Sequence, residues 1–317
     1  MPSQAPNLSQ PPAPALPELL ESIRNKVQQY LGQGKVAQYI PALGKIDPRK
    51  FGMAVCTVDG VCTAVGDAHE AFSIQSISKV FTLTLALRSF PDELWSRCGR
   101  EPSGSRFNSL VQLEHEQGVP RNPFINAGAL VVADLLTTHG ANARAHLLDF
   151  MRRLSGNAGV AFDSVVARSE ADTGFRNAAL ANFMKSYGVI KGAVPQVLDT
   201  YFHQCALAMS CVDLAKAALF LANRGTQPGL VGEVLTPVQT RRVNALMLTC
   251  GLYDAVGEFA YDVGLPAKSG VGGGIVAVVP GRLSIAVWSP ELGPEGNSVL
   301  GVAALQELVE STGWGIF

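Results

Sequence analysis

Phe72-Ser-Ile-Gln-Ser76-Ile-Ser-Lys79-Val-Phe81 is the stretch on which the fold reading turns. Side chains three apart lie on one face of a helix, so Ser76 and Lys79 can meet. Ile77, Val80, Phe81, Leu83, Leu85, Ala86 and Leu87 make this helix apolar almost all round, the pattern of a buried helix. No further cation occurs before Arg88. Burial disfavours the charged form of an amine and lowers its pKa. A neutral lysine beside a serine hydroxyl is a general base beside a nucleophile. The helix N-terminus favours the negative charge that develops there. Taken alone, S-x-x-K is two fixed residues that many helices carry by chance.

The flanking sequence supplies strands on both sides. Upstream, Met53-Ala-Val-Cys-Thr-Val58 and Val61-Cys-Thr-Ala-Val65 flank Asp59-Gly60, which predicts a hairpin with a tight type I′ turn. Downstream, Lys268-Ser269-Gly270-Val271-Gly-Gly-Gly274 opens a second strand region. There Gly274–Val279 and Leu283–Trp288 flank Pro280-Gly281-Arg282. Glycine lets backbone come close to a substrate, so an amide N–H can face an oxyanion. Standing alone, the glycine run reads as a flexible turn. A first helix is expected from Glu18, with Leu19, Leu20, Ile23, Val27, Tyr30 and Leu31 at helical spacing and Gly32 and Gly34 ending it. A last one follows Asn297 and Ser298. In between, helical periodicity covers roughly 76–88, 127–137, 143–154, 177–187, 194–208, 211–223 and 235–249. Strands from both ends then pair in one antiparallel sheet flanked by the terminal helices, an α/β (α+β) layout with a separate helical lobe. The expected boundaries are a disordered Pro-rich tail at 1–17 and a single domain at 18–317. Within that domain the sheet lobe takes about 18–75 and 260–317, and the helical lobe about 76–259.

Composition narrows the function classes. Of 317 residues, 25 are Lys or Arg and 26 Asp or Glu, a net charge of −1, which disfavours a nucleic-acid binder. No apolar run approaches the ~20 residues that span a bilayer. Met1–Pro17 holds six prolines and lacks the basic flank and apolar core of a signal peptide, so a cytoplasmic location is expected. Charged residues are 16% and apolar ones 47%, which points to a large core and a subunit interface, as in a homodimer or homotetramer. Cys56, Cys62, Cys98, Cys205, Cys211 and Cys250 show no C-x-x-C spacing and read as buried reduced thiols. The five histidines show no H-x-x-x-H spacing, so a structural zinc site is disfavoured and no metal is expected.

The order hairpin, S-x-x-K helix, helical lobe, K-S-G strand, hairpin and terminal helix is similar to the serine β-lactamase and penicillin-binding-protein architecture. The middle Ser-Asp-Asn motif of β-lactamases is absent, and Ser155-Gly-Asn157 matches it only as S-x-N. Tyr39-Ile-Pro41, the Ser76 segment, Arg100-Glu-Pro-Ser-Gly104 and Arg121-Asn-Pro-Phe-Ile-Asn-Ala-Gly-Ala129 occur in order along the chain. They are followed by Ser169-Glu170, Arg176-Asn177, Cys250-Gly-Leu-Tyr-Asp254 and Gly264-Leu-Pro-Ala-Lys-Ser-Gly-Val271. Together these strings resemble the serine-dependent glutaminases, from about Glu18 to the C-terminus. The resemblance implies hydrolysis of L-glutamine to L-glutamate and ammonia without a cofactor, in a β-lactamase-like fold.

Carried over by residue, it implies Ser76 as nucleophile, Lys79 as its base, and Tyr253 and Tyr39 as site tyrosines near the dyad. It implies a substrate site of Ser76, Asn126, Glu170, Asn177, Tyr201, Tyr253 and Val271. The amides of Ser76 and Val271 would form the oxyanion hole, on a strand supported by Lys268, Ser269 and Gly270. The chemistry is coherent: a carboxylate such as Glu170 pairs with the substrate ammonium, and Asn126 and Asn177 offer amide donors and acceptors. Without the resemblance Glu170 reads as a solvated loop carboxylate and Asn126 as a helix cap. Tyr201 would then be a core aromatic, and Tyr253 would stay unassigned. Rivals are a β-lactamase or cell-wall peptidase, an esterase, and a binding protein that has lost catalysis.

Overall fold

Period-two alternation sorts the strands between two apolar clusters, one on each face of a sheet. In β1 (Gly52–Thr57), Met53 and Val55 enter one cluster while Ala54 and Cys56 enter the other. The computed structural model describes residues 15–104, 107–140 and 142–317. The expected 1–17 tail falls outside these as far as residue 14. It ends earlier than expected, because helix α1 (Leu16–Val27) takes in Leu16 and Pro17. Proline is tolerated in a first turn, whose N–H groups have no helical partner.

After α1 come β1, β2 (Cys62–Gly66), β3 (Phe72–Ser73), α2 (Ser78–Ser89), α3 (Pro91–Arg97), α4 (Leu110–His115), α5 (Asn126–His139) and α6 (Ala143–Ser155). The middle continues with β4 (Ala161–Phe162), α7 (Ser164–Thr173), α8 (Phe175–Ser186), α9 (Val194–Cys205), β5 (Leu207–Met209), α10 (Cys211–Ala217), α11 (Leu219–Ala222) and α12 (Pro237–Cys250). The end is α13 (Val256–Asp262), β6 (Ala267–Ser269), β7 (Gly274–Val279), β8 (Leu283–Trp288) and α14 (Val299–Thr312). Five antiparallel strands run in the order β2-β1-β8-β7-β6, so the two ends of the chain meet at β1 and β8. On one face lie α1, α13 and α14, with Leu20, Ile23, Leu300 and Leu305 against Met53, Ile275 and Ile285. On the other lie the helices from the middle of the chain, with Phe81, Leu130 and Phe220 in one cluster with Val276 and Trp288. A second sheet, β3-β5-β4, was not anticipated. It claims Leu207–Met209, so the helix expected over 194–208 stops at Cys205.

The first hairpin departs from the expected turn. Only Gly60 has a positive φ (86°); Asp59 does not, so a type I′ turn is excluded. Gly60 N donates to Thr57 O and Thr57 N to Val61 O, leaving a three-residue connection. The register moves by one residue and sets Cys56 opposite Cys62. Those two cysteines form a disulfide, correcting the reading of six reduced thiols. The other four are free and buried.

Candidate functional site

Ser76 lies in a 3-10 turn (Gln75–Ile77) that runs directly into α2. Lys79 opens the next turn and is 1% exposed. Its Nζ donates to Phe124 O (3.1 Å) and to Asn126 Oδ1 (2.7 Å), and faces the Tyr201 ring at 5.9 Å. Burial holds its pKa down at about 8. Among the described residues no hydrogen bond joins Ser76 to Lys79; Tyr253, whose hydroxyl donates to Ser269 O (3.5 Å), lies near enough to Ser76 for that side chain to act on its pKa. Tyr253 follows α12 in a short 3-10 turn and has φ of 54°, a left-handed conformation uncommon for a bulky residue. Burial pushes its hydroxyl up to about 12, while its bonds to Ser76 and Ser269 act the other way.

The opposite wall comes from α7, α8 and α9. Glu170 on α7 is 7% exposed, and burial raises its carboxyl to about 7 against the pull of a Gln75 hydrogen bond and the Lys79 charge. Asn126 Nδ2 donates to Asn177 Oδ1 (2.9 Å), so Lys79, Asn126 and Asn177 form one hydrogen-bonded chain. Tyr201 is buried on α9, where burial pushes its hydroxyl well up. Tyr39, on the loop before β1, is 58% exposed. Tyr39, Ser76, Asn126, Glu170, Asn177, Tyr201 and Val271 line one cavity of about 390 Å³. Tyr253 adjoins it through Ser76.

Behind Ser76 runs the Lys268–Gly274 segment. A Cβ on Gly270 would lie 2.6 Å from Ile74 O and 3.3 Å from Ser76 N, so glycine is what lets this turn reach the serine backbone. Lys268 is fully buried. Its Nζ donates to Ser269 O (2.5 Å) and sits 4.6 Å above the Tyr253 ring, and burial holds its pKa well down. Lys268 and Ser269 thus lie beside Tyr253, and Gly270 beside the backbone of Ser76.

Sequence reasoning passed over Gln75, Phe107, Cys205 and Gly174, which also line the cavity. Gln75 precedes Ser76 with φ of 50°, and its Nε2 donates to Ser73 Oγ (2.9 Å). Its place beside the candidate nucleophile was the available signal. Phe107 and Cys205 lie in a loop and at a helix end, where periodicity says nothing about which way a side chain faces.

A buried serine that lines a small cavity with a carboxylate, and a buried amine of depressed pKa one helical turn further on, are the parts of a nucleophile and its base. Comparison with known proteins agrees. A family model described as Glutaminase matches residues 34–317. A glutaminase of Rhizobium leguminosarum bv. trifolii is 59% identical over 304 residues, 95% of this chain and 98% of that protein. A thermolabile glutaminase of Rhizobium etli is 60% identical over 300 residues, 94% and 97% of the two chains. A probable glutaminase from Bacillus subtilis, solved in complex with 6-diazo-5-oxo-L-norleucine, superposes with a TM-score of 0.83 at 34% identity over 99% of both chains.

Proposed function

The chain belongs to the glutaminase family, and on that premise we propose that Ser76 is its nucleophile, Lys79 the base and Tyr253 the acid of a double displacement. The reaction is hydrolysis of L-glutamine to L-glutamate and ammonia. One observation carries the dyad. A neutral amine has two N–H bonds and one lone pair. Phe124 O and Asn126 Oδ1 take the two N–H bonds, which leaves the lone pair for the Ser76 proton.

Ser76 Oγ attacks the side-chain amide carbon while its proton passes to Lys79. The carbonyl oxygen becomes the oxyanion held by the amides of Ser76 and Val271. Tyr253, whose hydroxyl keeps its proton up to about pH 12, hands that proton to the departing nitrogen and is reprotonated through Lys79. Ammonia leaves, and water cleaves the γ-glutamyl ester to release glutamate and restore Ser76. Glu170 takes the substrate ammonium, while Asn126, Asn177, Tyr201 and Tyr39 offer hydrogen bonds to its polar ends. The ligand of the Bacillus subtilis protein is consistent with glutamine as substrate: in its covalent structure a keto carbon replaces the amide carbon of glutamine. We further infer that residues 18–317 act as one catalytic domain, assembled as a homodimer or homotetramer.

The test is coupled glutamate and ammonia detection on purified protein. Ser76→Ala should lower turnover by at least about 10³-fold while glutamate still binds. Near-native turnover in that variant removes the nucleophile assignment. Asparagine and a cephalosporin run in parallel should be poor substrates.

A further inference from the structure

The glycine between α7 and α8 does work that its backbone angles do not require. Gly174 has φ −76° and ψ 20°, which any L-residue can adopt. Space, not conformation, selects glycine. A Cβ at this position would overlap Phe202 Cζ and lie 2.9 Å from Phe202 Cε1 and 2.7 Å from Glu170 O. Real Cβ atoms do not tolerate such separations, so a side chain here forces helices apart.

What would move is the recognising end of the site. Gly174 lines the cavity and is the only residue joining the two helices. Glu170 stands four residues before it and Asn177 three residues after it. Both helices pack on α9, where buried Phe202 adjoins Tyr201. We propose that Gly174 is a positioning residue: its bare Cα against the Phe202 ring sets how far Glu170 and Asn177 stand from Tyr201. The inference rests on the reading above, in which Glu170 holds the substrate ammonium. Ser76, Lys79 and Tyr253 belong to other elements, and none of the three nearest atoms that a Cβ on Gly174 would meet lies on them.

The experiment compares kcat and KM for glutamine in the native protein and five variants. Gly174→Ala is expected to raise KM about tenfold or more with kcat within about threefold, since a small misplacement of a binding group is costly. Phe202→Tyr adds an oxygen at the ring atom nearest Gly174 and should do the same from the other side. Phe202→Leu removes the ring atoms that a Cβ would strike and leaves only the Glu170 O contact. The pair Gly174→Ala with Phe202→Leu should bring KM back to within about threefold of native, a rescue that general destabilisation does not give. Native KM in either Gly174→Ala or Phe202→Tyr, or no rescue in the pair, overturns the inference. Glu170→Gln separates the two levels. If it leaves KM unchanged, the ammonium reading falls; if it raises KM while Gly174→Ala and Phe202→Tyr do not, only the role of Gly174 falls.

Discussion

A primary amine whose two N–H bonds are committed to carbonyl oxygens acts as a base only once its third proton is gone. For Lys79 that proton leaves near pH 8, because burial disfavours the ammonium. The sign follows: below that value Lys79 is charged and inactive as a base, and above it the fraction of competent enzyme rises. On this mechanism kcat/KM should climb with pH through about 8. Glu170, which ionises near 7 when the site is free, adds to the same rising limb. The two groups are electrostatically coupled, so the profile reports them jointly. Asn126→Asp separates them. It sets a carboxylate where Asn126 Oδ1 now lies 2.7 Å from Lys79 Nζ. An adjacent negative charge favours the ammonium, so the midpoint should move up by ~1–3 pH units, whatever the loss in kcat. An unmoved midpoint in a pH–rate series would show that Lys79 is not the base. Of this arrangement the sequence discloses the i, i+3 pairing of Ser76 and Lys79 and the apolar surroundings of the amine. The approach of Tyr253 to Ser76 depends on the short turn after α12 and on the left-handed φ of Tyr253, which no local pattern records.

At the scale of elements, β1, β7 and β8 are legible as short apolar runs bounded by turn residues, since both of their faces are buried and alternate residues enter the two clusters. Helices α5 and α12 are legible for the same kind of reason. Helix α7 is not: it keeps Glu170 buried toward the cavity and Val165 exposed, so its apolar residues do not mark its inner face. The hairpin of β1 and β2 lies where the spacing predicts it, with a different turn. The difference lies in Asp59, which stays out of the left-handed region, and one residue of register is what brings Cys56 to Cys62. The disulfide closes a loop with a sequence separation of 6. Restricting so short a loop in the unfolded chain is worth about 2 kcal/mol. Reduction should therefore lower the unfolding midpoint by a few degrees. Alkylation under denaturing conditions should label four cysteines without reductant and six with it. Six labelled without reductant would disprove the bond. The Gly270 turn makes a second prediction. Gly270→Ala pushes the turn off Ile74 O and Ser76 N, so kcat should fall by ~10²–10³, as on losing an oxyanion donor, with glutamate binding retained.

Across the whole molecule, the site exists because the two ends of the chain share a sheet. Ser76 follows β1–β3, while its supporting turn at Gly270–Gly273 comes from near the other terminus, and β8 ties them together. Trp288, at the end of β8, does this with one side chain. Its ring stacks on Phe72 at 4.8 Å with the planes 1° apart, and its Nε1 donates to Gly272 O (3.0 Å). Phe72 lies four residues before the serine, and Gly272 lies in the glycine turn behind it. Trp288 is 1% exposed, so neither contact can be replaced by water at the surface. Trp288→Phe keeps an aromatic face against Phe72 and removes the only N–H. The Gly272 carbonyl then loses that buried donor, which costs about 1–3 kcal/mol. Trp288→Ala also opens a cavity and should cost about 3–5 kcal/mol. Urea unfolding measures both. Coupling of this side chain to the site predicts more than lost stability: with Trp288→Phe, kcat should fall well below the transition midpoint, where the protein is still folded, while KM changes little. A variant that is less stable yet turns over at the native rate when folded would confine Trp288 to the core and separate the glycine turn from the sheet that carries it.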